Sequence, residues 1–156
     1  MSEPADIRTS RLTDGTRLNE ILALVHAAFG GFEPPSGVLS ETIDDMRRRY
    51  RAGPILIAQA DGALVGSLFC VPVDDALYLT RLATLPAWRR RGVGSTLLAD
   101  AEAEARAAGA CRLTLRVRVT LPDNQRYLER LGFVVTGQGQ DPGRTPYVSM
   151  ERRLAD

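Results

Sequence analysis

The stretch Leu82-Ala83-Thr84-Leu85-Pro86-Ala87-Trp88-Arg89-Arg90-Arg91-Gly92-Val93-Gly94-Ser95-Thr96-Leu97-Leu98 decides how this chain is read. It has the order of a strand end, a basic turn with two glycines, and the start of an amphipathic helix. The first N–H groups of a helix lack intrahelical partners and sit at the positive end of its dipole. Glycine lets a phosphate approach the backbone, and guanidiniums fork onto phosphate oxygens. The turn from Arg89 to Ser95 is therefore expected to seat a phosphorylated cofactor. An ordinary exposed basic turn is the competing reading of these residues alone.

Downstream of the turn, Val93, Leu97, Ala101 and Ala105 recur every four residues, joined by Leu98, and Gly109 is a natural helix stop. Residues 112–119 alternate strictly between apolar and polar, as a strand with one buried face does. Upstream, residues 54–60, the hairpin dipeptide Asp61-Gly62, residues 63–71, the turn Asp74-Asp75 and residues 76–85 read as three consecutive antiparallel strands. A strand, helix, strand order then implies a right-handed parallel crossover.

Residues 7–11 form a short strand. Thr13 or Thr16 is placed to cap a helix carrying Leu18, Ile21, Leu22, Val25 and Phe29. His26, the only histidine, lies beside that apolar face and reads as structural or superficial. Residues 30–37, rich in Gly and Pro, form an irregular loop. Ser40-Glu41 opens a second helix with Ile43, Met46 and Tyr50 on one side; Arg47 to Arg49 with Arg51 read as its solvated end. Pro122 opens a short helix, with Thr120 and Asp123 at capping-box spacing. Gly132 ends it, residues 133–136 start a strand, residues 137–144 form a loop, and residues 145–154 return as the last strand.

The 156 residues suit one domain with its own core, and a net charge of +1 argues against nucleic acid or an anionic membrane as partner. All 20 basic residues are arginine, which excludes any lysine nucleophile or Schiff base. Cys70 and Cys111 have no metal spacing and read as reduced, buried thiols. The polar, acidic N-terminus is unlike a signal peptide, and no apolar run approaches the ~18 residues of a membrane span. A cytoplasmic, metal-free protein is expected.

The turn is not a Walker A loop, since the required lysine is missing, nor a Rossmann fingerprint, since Leu97 stands at the third glycine. Arg89-x-x-Gly92-x-Gly94 resembles the acyl-CoA signature of the GNAT N-acyltransferase superfamily. Leu82-Ala83-Thr84-x-Pro86 resembles that family's strand exit, with Thr84 where valine is typical. Leu121-Pro122-Asp123-Asn124 with Leu131-Gly132-Phe133 resembles its second hallmark, and Pro146 to Glu151 looks like its last strand. The resemblance covers about half the chain, residues 77–154.

The resemblance implies a mixed α/β (α+β) fold: a twisted, mostly antiparallel sheet of about seven strands, one parallel β-α-β crossover and about four flanking helices. It implies transfer of an acetyl group from acetyl-CoA, by direct attack on the thioester, to an amine on a small molecule or peptide. Backbone N–H groups of Arg90, Arg91, Gly92, Val93, Gly94 and Ser95 would hold the pyrophosphate, with the Arg89 side chain nearby. The edge at Leu82, Ala83 and Thr84 would pair with the pantetheine arm as an added strand, and an N–H near Ala83 or Thr84 would stabilise the oxyanion. Asn124 matches the family's asparagine on the cofactor arm; a turn or cap asparagine is its plain alternative. At the position where the family often has a tyrosine acid stands Leu128, with Tyr127 just before it, so Tyr127, Tyr78 and Tyr147 are the candidate acids, and departure of the thiolate without a dedicated acid is the alternative. Glu33 and Asp141, in two loops that border the acceptor site in this fold, are the candidate bases. Two readings stay open: an N-acetyltransferase, or an acyl-CoA-binding sensor without catalysis. A homodimer paired through the last strand is a further expectation.

Overall fold

A computed structural model describes residues 6–32 and 35–155. Seven strands form one sheet: β1 (Ile7–Arg11), β2 (Ile55–Ala60), β3 (Ala63–Val73), β4 (Ala76–Thr84), β5 (Arg112–Arg118), β6 (Val134–Gly139) and β7 (Tyr147–Arg153), in the order β1-β2-β3-β4-β5-β7-β6. Four helices flank it: α1 (Leu18–Phe29), α2 (Ile43–Ala52), α3 (Val93–Ala107) and α4 (Pro122–Arg130). Every pairing is antiparallel except β4 with β5, which α3 connects.

The sheet buries both faces, and the two faces have different partners. Leu68, Leu77, Leu79, Leu113 and Leu115 pack with Leu97, Leu98 and Ala101 of α3 and with Leu128 of α4. Ile55, Ile57, Phe69 and Ala83 pack on the other face with Ile21 and Val25 of α1 and Met46 of α2. Gly66 brings α3 close to the sheet: a Cβ there would lie 2.6 Å from Val93 Cγ1 and 3.1 Å from the Ala83 carbonyl oxygen.

The strand that carries the recognition stretch is bent. Across β3, Ser67 pairs with Ala83 and Phe69 with Thr80, so one residue of β3 faces two of β4, Arg81 and Leu82. Arg81 takes the left-handed conformation, φ 57°, which costs a non-glycine residue about 1–2 kcal/mol. Such a bulge increases twist and re-aims the strand. The parallel pairing of β4 with β5 is confined to Ala76↔Arg112, Leu77↔Leu113 and Tyr78↔Thr114. Beyond it the two strands splay, and the edge of β4 from Leu79 onward has no strand beside it.

Several local expectations are corrected by longer-range partners. Leu24 and Ala28, rather than Leu22 and Phe29, complete the buried face of α1. Asp14, not a threonine, caps the turn before it, accepting from the Thr16 N–H. The second helix starts later than Ser40-Glu41: Thr42 and Asp45 form a reciprocal capping box, and Glu41 is drawn inward. Thr120 and Asp123 make no such box; Leu121 stands at the N-cap of α4 without a side-chain bond. Gly137, Gln138 and Gly139 continue β6 past a register shift instead of forming a loop, and β7 begins at Tyr147. Both edges of β7 are occupied, by β5 and β6, so the last strand is not free to pair with a second copy. Among the described residues no helix is long and apolar enough to cross a membrane.

Cys70 is buried as expected, and burial pushes its thiol up to about 12. Cys111 is exposed, contrary to expectation, and its thiol donates to Asp75 Oδ2 at 3.2 Å. That bond holds the Cys111 pKa above its ordinary value, because it stabilises the protonated form.

Two outcomes follow from this packing. Gly66→Ala is expected to lower stability by about 1–3 kcal/mol, the usual cost of overpacking, read as a shift of the denaturant midpoint. At neutral pH one thiol, Cys111, should alkylate in the native protein and Cys70 only after unfolding. Asp75→Asn should speed Cys111 labelling by lowering its pKa; labelling at an unchanged rate would refute the assigned hydrogen bond.

Candidate active site

The splay of β4 from β5 opens a cleft of about 1790 Å³, floored by Leu79 to Thr84 of β4 and Leu115 to Arg118 of β5. The first turn of α3 closes one end. Gly92 precedes the helix in the left-handed conformation, φ 82°, and Thr96 N–H makes the first intrahelical bond, to the Gly92 carbonyl at 3.0 Å. The N–H groups of Val93, Gly94 and Ser95 lie before that bond, at the positive helix end. Gly92, Val93, Gly94 and Ser95 all line the cleft. The backbone thus offers an anion cradle beside an unpaired strand edge, which suits a ligand with a phosphate at one end and an amide-bearing arm.

The three arginines of the turn have separate tasks. Arg89 donates to the Ala28 carbonyl oxygen at 2.9 Å, tying the turn to the last turn of α1. Arg91 stacks over the Trp88 ring, 4.8 Å from its centroid, and is not among the residues lining the cleft. Arg90, at φ 63°, lines it. So Arg89 and Arg90 both border the cleft, Arg89 with its guanidinium tied to α1, while Arg91 is held outside it on Trp88.

Tyr127 and Leu128 divide as neighbouring helix positions must. Leu128 is 5% exposed and belongs to the core. Tyr127 lines the cleft, its hydroxyl 2.6 Å from Ser95 Oγ. A Cβ on Gly94 would lie 3.4 Å from the Tyr127 hydroxyl and 4.0 Å from Leu82 Cδ2. The phenol therefore bridges α4 to the first turn of α3, close to β4. Asn124 also lines the cleft, from the exposed face of α4. Tyr78 and Tyr147 line it too, and Tyr147 lies under Arg116, 4.3 Å from guanidinium carbon to ring centroid. Asp141 borders the cleft, 3.7 Å from Arg116. Glu33 lies outside the described residues.

The sequence reading missed an ion cluster on the other side of the cleft. Glu41, whose side chain is 8% exposed, accepts from Arg49 Nε at 2.9 Å and from Arg81 Nε at 2.5 Å. Arg81 also donates to Thr80 Oγ1 at 2.7 Å. Burial, and then the charge of Arg49, lower the Arg81 pKa from its ordinary value, opposed by Glu41. His26 Nε2 lies 3.1 Å from the Glu41 carbonyl oxygen; since a carbonyl only accepts, the ring donates there. His26 is thus structural, as expected, while Arg49 is turned inward instead of solvated. One signal in the sequence marks the bulge. The apolar phase of β4 slips from Leu77 and Leu79 to Leu82, leaving Arg81 as the extra residue.

Fold and site together define an acyltransferase family: the model of the acetyltransferase (GNAT) family matches residues 18–133, and the chain belongs to that family. Its segment shares 34% identity over 101 residues with probable N-acetyltransferase 14 of Mus musculus, covering 63% of this chain and 43% of that protein. The chain spans less than half the length of the curated relatives it matches. The fold matches the crystal structure of Ard1 from Thermoplasma volcanium with a TM-score of 0.83 at 16% identity, over 96% of this chain and 99% of that one. It also matches the PaiA N-acetyltransferase of Thermoplasma acidophilum, solved in complex with coenzyme A, with a TM-score of 0.76 at 20% identity, over 96% and 99% of the two chains.

Gly92→Ala is expected to weaken CoA binding. A Cβ meets nothing within 4 Å there, so the loss comes from the φ of 82°, worth about 1–2 kcal/mol for an L-residue. Calorimetry against CoA reads it; an unchanged Kd would remove the turn from the binding site.

Proposed function

We propose that this protein is an N-acyltransferase that moves an acetyl group from acetyl-CoA to an amine. One observation carries the reading: β4 loses β5 as a neighbour just where the strand leads to the anion cradle of α3. A strand edge without a partner presents N–H and C=O groups that an amide-bearing arm can pair with. Bound acetyl-CoA supplies the activated acyl thioester. The chain supplies placement: the N–H groups of Val93, Gly94 and Ser95 for the pyrophosphate, Arg90 for further negative charge, and Leu82, Ala83 and Thr84 for the arm. An N–H of Ala83 or Thr84 polarises the acyl carbonyl.

The acceptor must attack as a neutral amine, although an alkyl ammonium has a pKa near ~10.4. Asp141 is the carboxylate bordering the acceptor side, whereas Glu41 is committed to two guanidiniums. Tyr127 Oη holds a proton at the cofactor end of the cleft, in reach of a departing thiolate. A second reading, an acyl-CoA sensor, is favoured by Leu128 being locked in the core at the place where the family often carries its tyrosine.

Thiol release from acetyl-CoA across an amine panel tests both readings. The enzyme reading expects turnover with at least one amine, abolished by Gly92→Glu. Tyr127→Phe is expected to lower kcat on the order of 10²-fold, the lower range for a general acid. Tight CoA binding without turnover on any amine would favour the sensor; full kcat across pH in Tyr127→Phe would remove that residue as acid.

A further inference from the structure

Helix α4 presents one face to the cleft. Asp123, Arg126, Tyr127 and Arg130 stand at i, i+3, i+4 and i+7, the spacing of a single helix face, and all four line the cleft. Tyr127 fixes where that face stands relative to the cradle, because its hydroxyl is 2.6 Å from Ser95 Oγ in the first turn of α3. α3 follows β4 and α4 follows β5, and β4 and β5 are parallel. Both helices pack on the same face of the sheet, and both run back from its splayed end. A groove therefore leads from the cradle between them, away from the strand edge at Leu82 to Thr84. Arg130 lies three residues past Tyr127, about 4.5 Å further along that groove.

The two guanidiniums on this face are loosely held. Arg126 pairs with Asp123 at i, i+3, and the side chains are 61% and 89% exposed. An exposed pair of this kind contributes little and gives way readily to a better partner. Arg130 is exposed and forms no ion pair among the described residues. The packing of α4 does not account for either residue, since Leu128 is the buried residue of the helix. Arg126 and Arg130 are one turn apart, i and i+4, so their side chains can close on one oxyanion.

We propose that Arg130 and Arg126 bind a phosphate monoester that the cofactor carries beyond its pyrophosphate, the 3′-phosphate on the ribose of CoA. This rests on the acetyl-CoA reading. With the pyrophosphate on the N–H groups of Val93, Gly94 and Ser95 and the pantetheine arm on β4, the adenosine leaves the cradle in the other direction, into the groove beside α4. A phosphate monoester carries a charge of about −1.5 to −2 at pH 7 and three strong acceptor oxygens. It is a better partner for Arg126 than the single exposed carboxylate of Asp123. Arg90, on the turn itself, stays with the pyrophosphate. Side chains of a separate helix thus read the one group that distinguishes CoA from 3′-dephospho-CoA, and an acyl donor lacking that group is selected against.

The test is calorimetry of CoA and of 3′-dephospho-CoA against the native protein, Arg130→Gln, Arg126→Gln and the double variant. The native protein is expected to bind CoA at least about tenfold more tightly than dephospho-CoA, the scale of a charge-assisted hydrogen bond. Each single variant should narrow that ratio, and the double variant should bring it close to unity. The narrowing should come from weaker CoA binding, with the Kd of dephospho-CoA unchanged. Equal affinities for the two ligands in the native protein, or a preference for CoA that survives in the double variant, would overturn the proposal. Equal losses for both ligands would also defeat it, because the arginines would then serve another part of the cofactor. In each of these cases CoA still binds the native protein and the acetyl-CoA reading stands. If the native protein binds neither ligand, that reading has failed and the proposal falls with it.

Discussion

The ion cluster at Glu41 holds together the parts on which the cleft depends. Its carboxylate binds Arg81, which sits in a left-handed conformation in the bulge of β4, and Arg49 of α2; its backbone carbonyl takes the His26 N–H of α1. A mostly buried carboxylate is costly unless paired and hydrogen-bonded, and here both conditions are met. The bulge in turn costs backbone energy and persists only where its surroundings over-determine it. The cluster supplies that determination. The pairing of β4 with β5 ends at Tyr78, just before the bulge, and the open edge beyond it leads to the first turn of α3.

The two faces of the sheet divide the labour. α3 and α4 lie on one face, and their ends converge on the cradle: Gly66 lets α3 approach, and Tyr127 meets Ser95 across the cleft. α1, α2 and their connection lie on the other face. Arg89 links the halves by binding the last turn of α1 from the turn that precedes α3. The proposed cofactor end is built mainly from backbone N–H groups of consecutive residues, whereas the proposed acceptor side is built from side chains of separate elements.

How far the site was legible depended on how local each feature is. Gly92, Gly94 and the helix after them were readable because an anion cradle is made by consecutive residues. The same holds for the hairpin at Asp61-Gly62 and the buried stripe Val93, Leu97, Ala101 and Ala105, all found where expected. The helix starts misread at Thr13, Ser40 and Thr120 share one cause: several capping residues stood close together, and the choice among them was made by packing at a distance. Arg49 read as solvated because its partner, Glu41, lies in another element. The alternation in β4 did hold a trace of the bulge, in the slip between Leu79 and Leu82.

By itself the sequence determined the order of strands and helices, the parallel crossover and the glycine turn before α3, since periodicity and glycine chemistry are properties of neighbours along the chain. Only the tertiary structure decided which arginines face the site. Arg89, Arg90 and Arg91 are consecutive and chemically identical, yet Arg89 and Arg90 border the cleft, Arg89 also binding a helix end, while Arg91 stacks on Trp88 outside it. The gathering of Arg81, Arg116, Arg118 and Arg144 likewise required three separate parts of the chain, β4, β5 and the β6–β7 connection, to be folded against each other. The physical reason is that charge acts through space: its meaning is set by the partners that packing brings within a few ångströms.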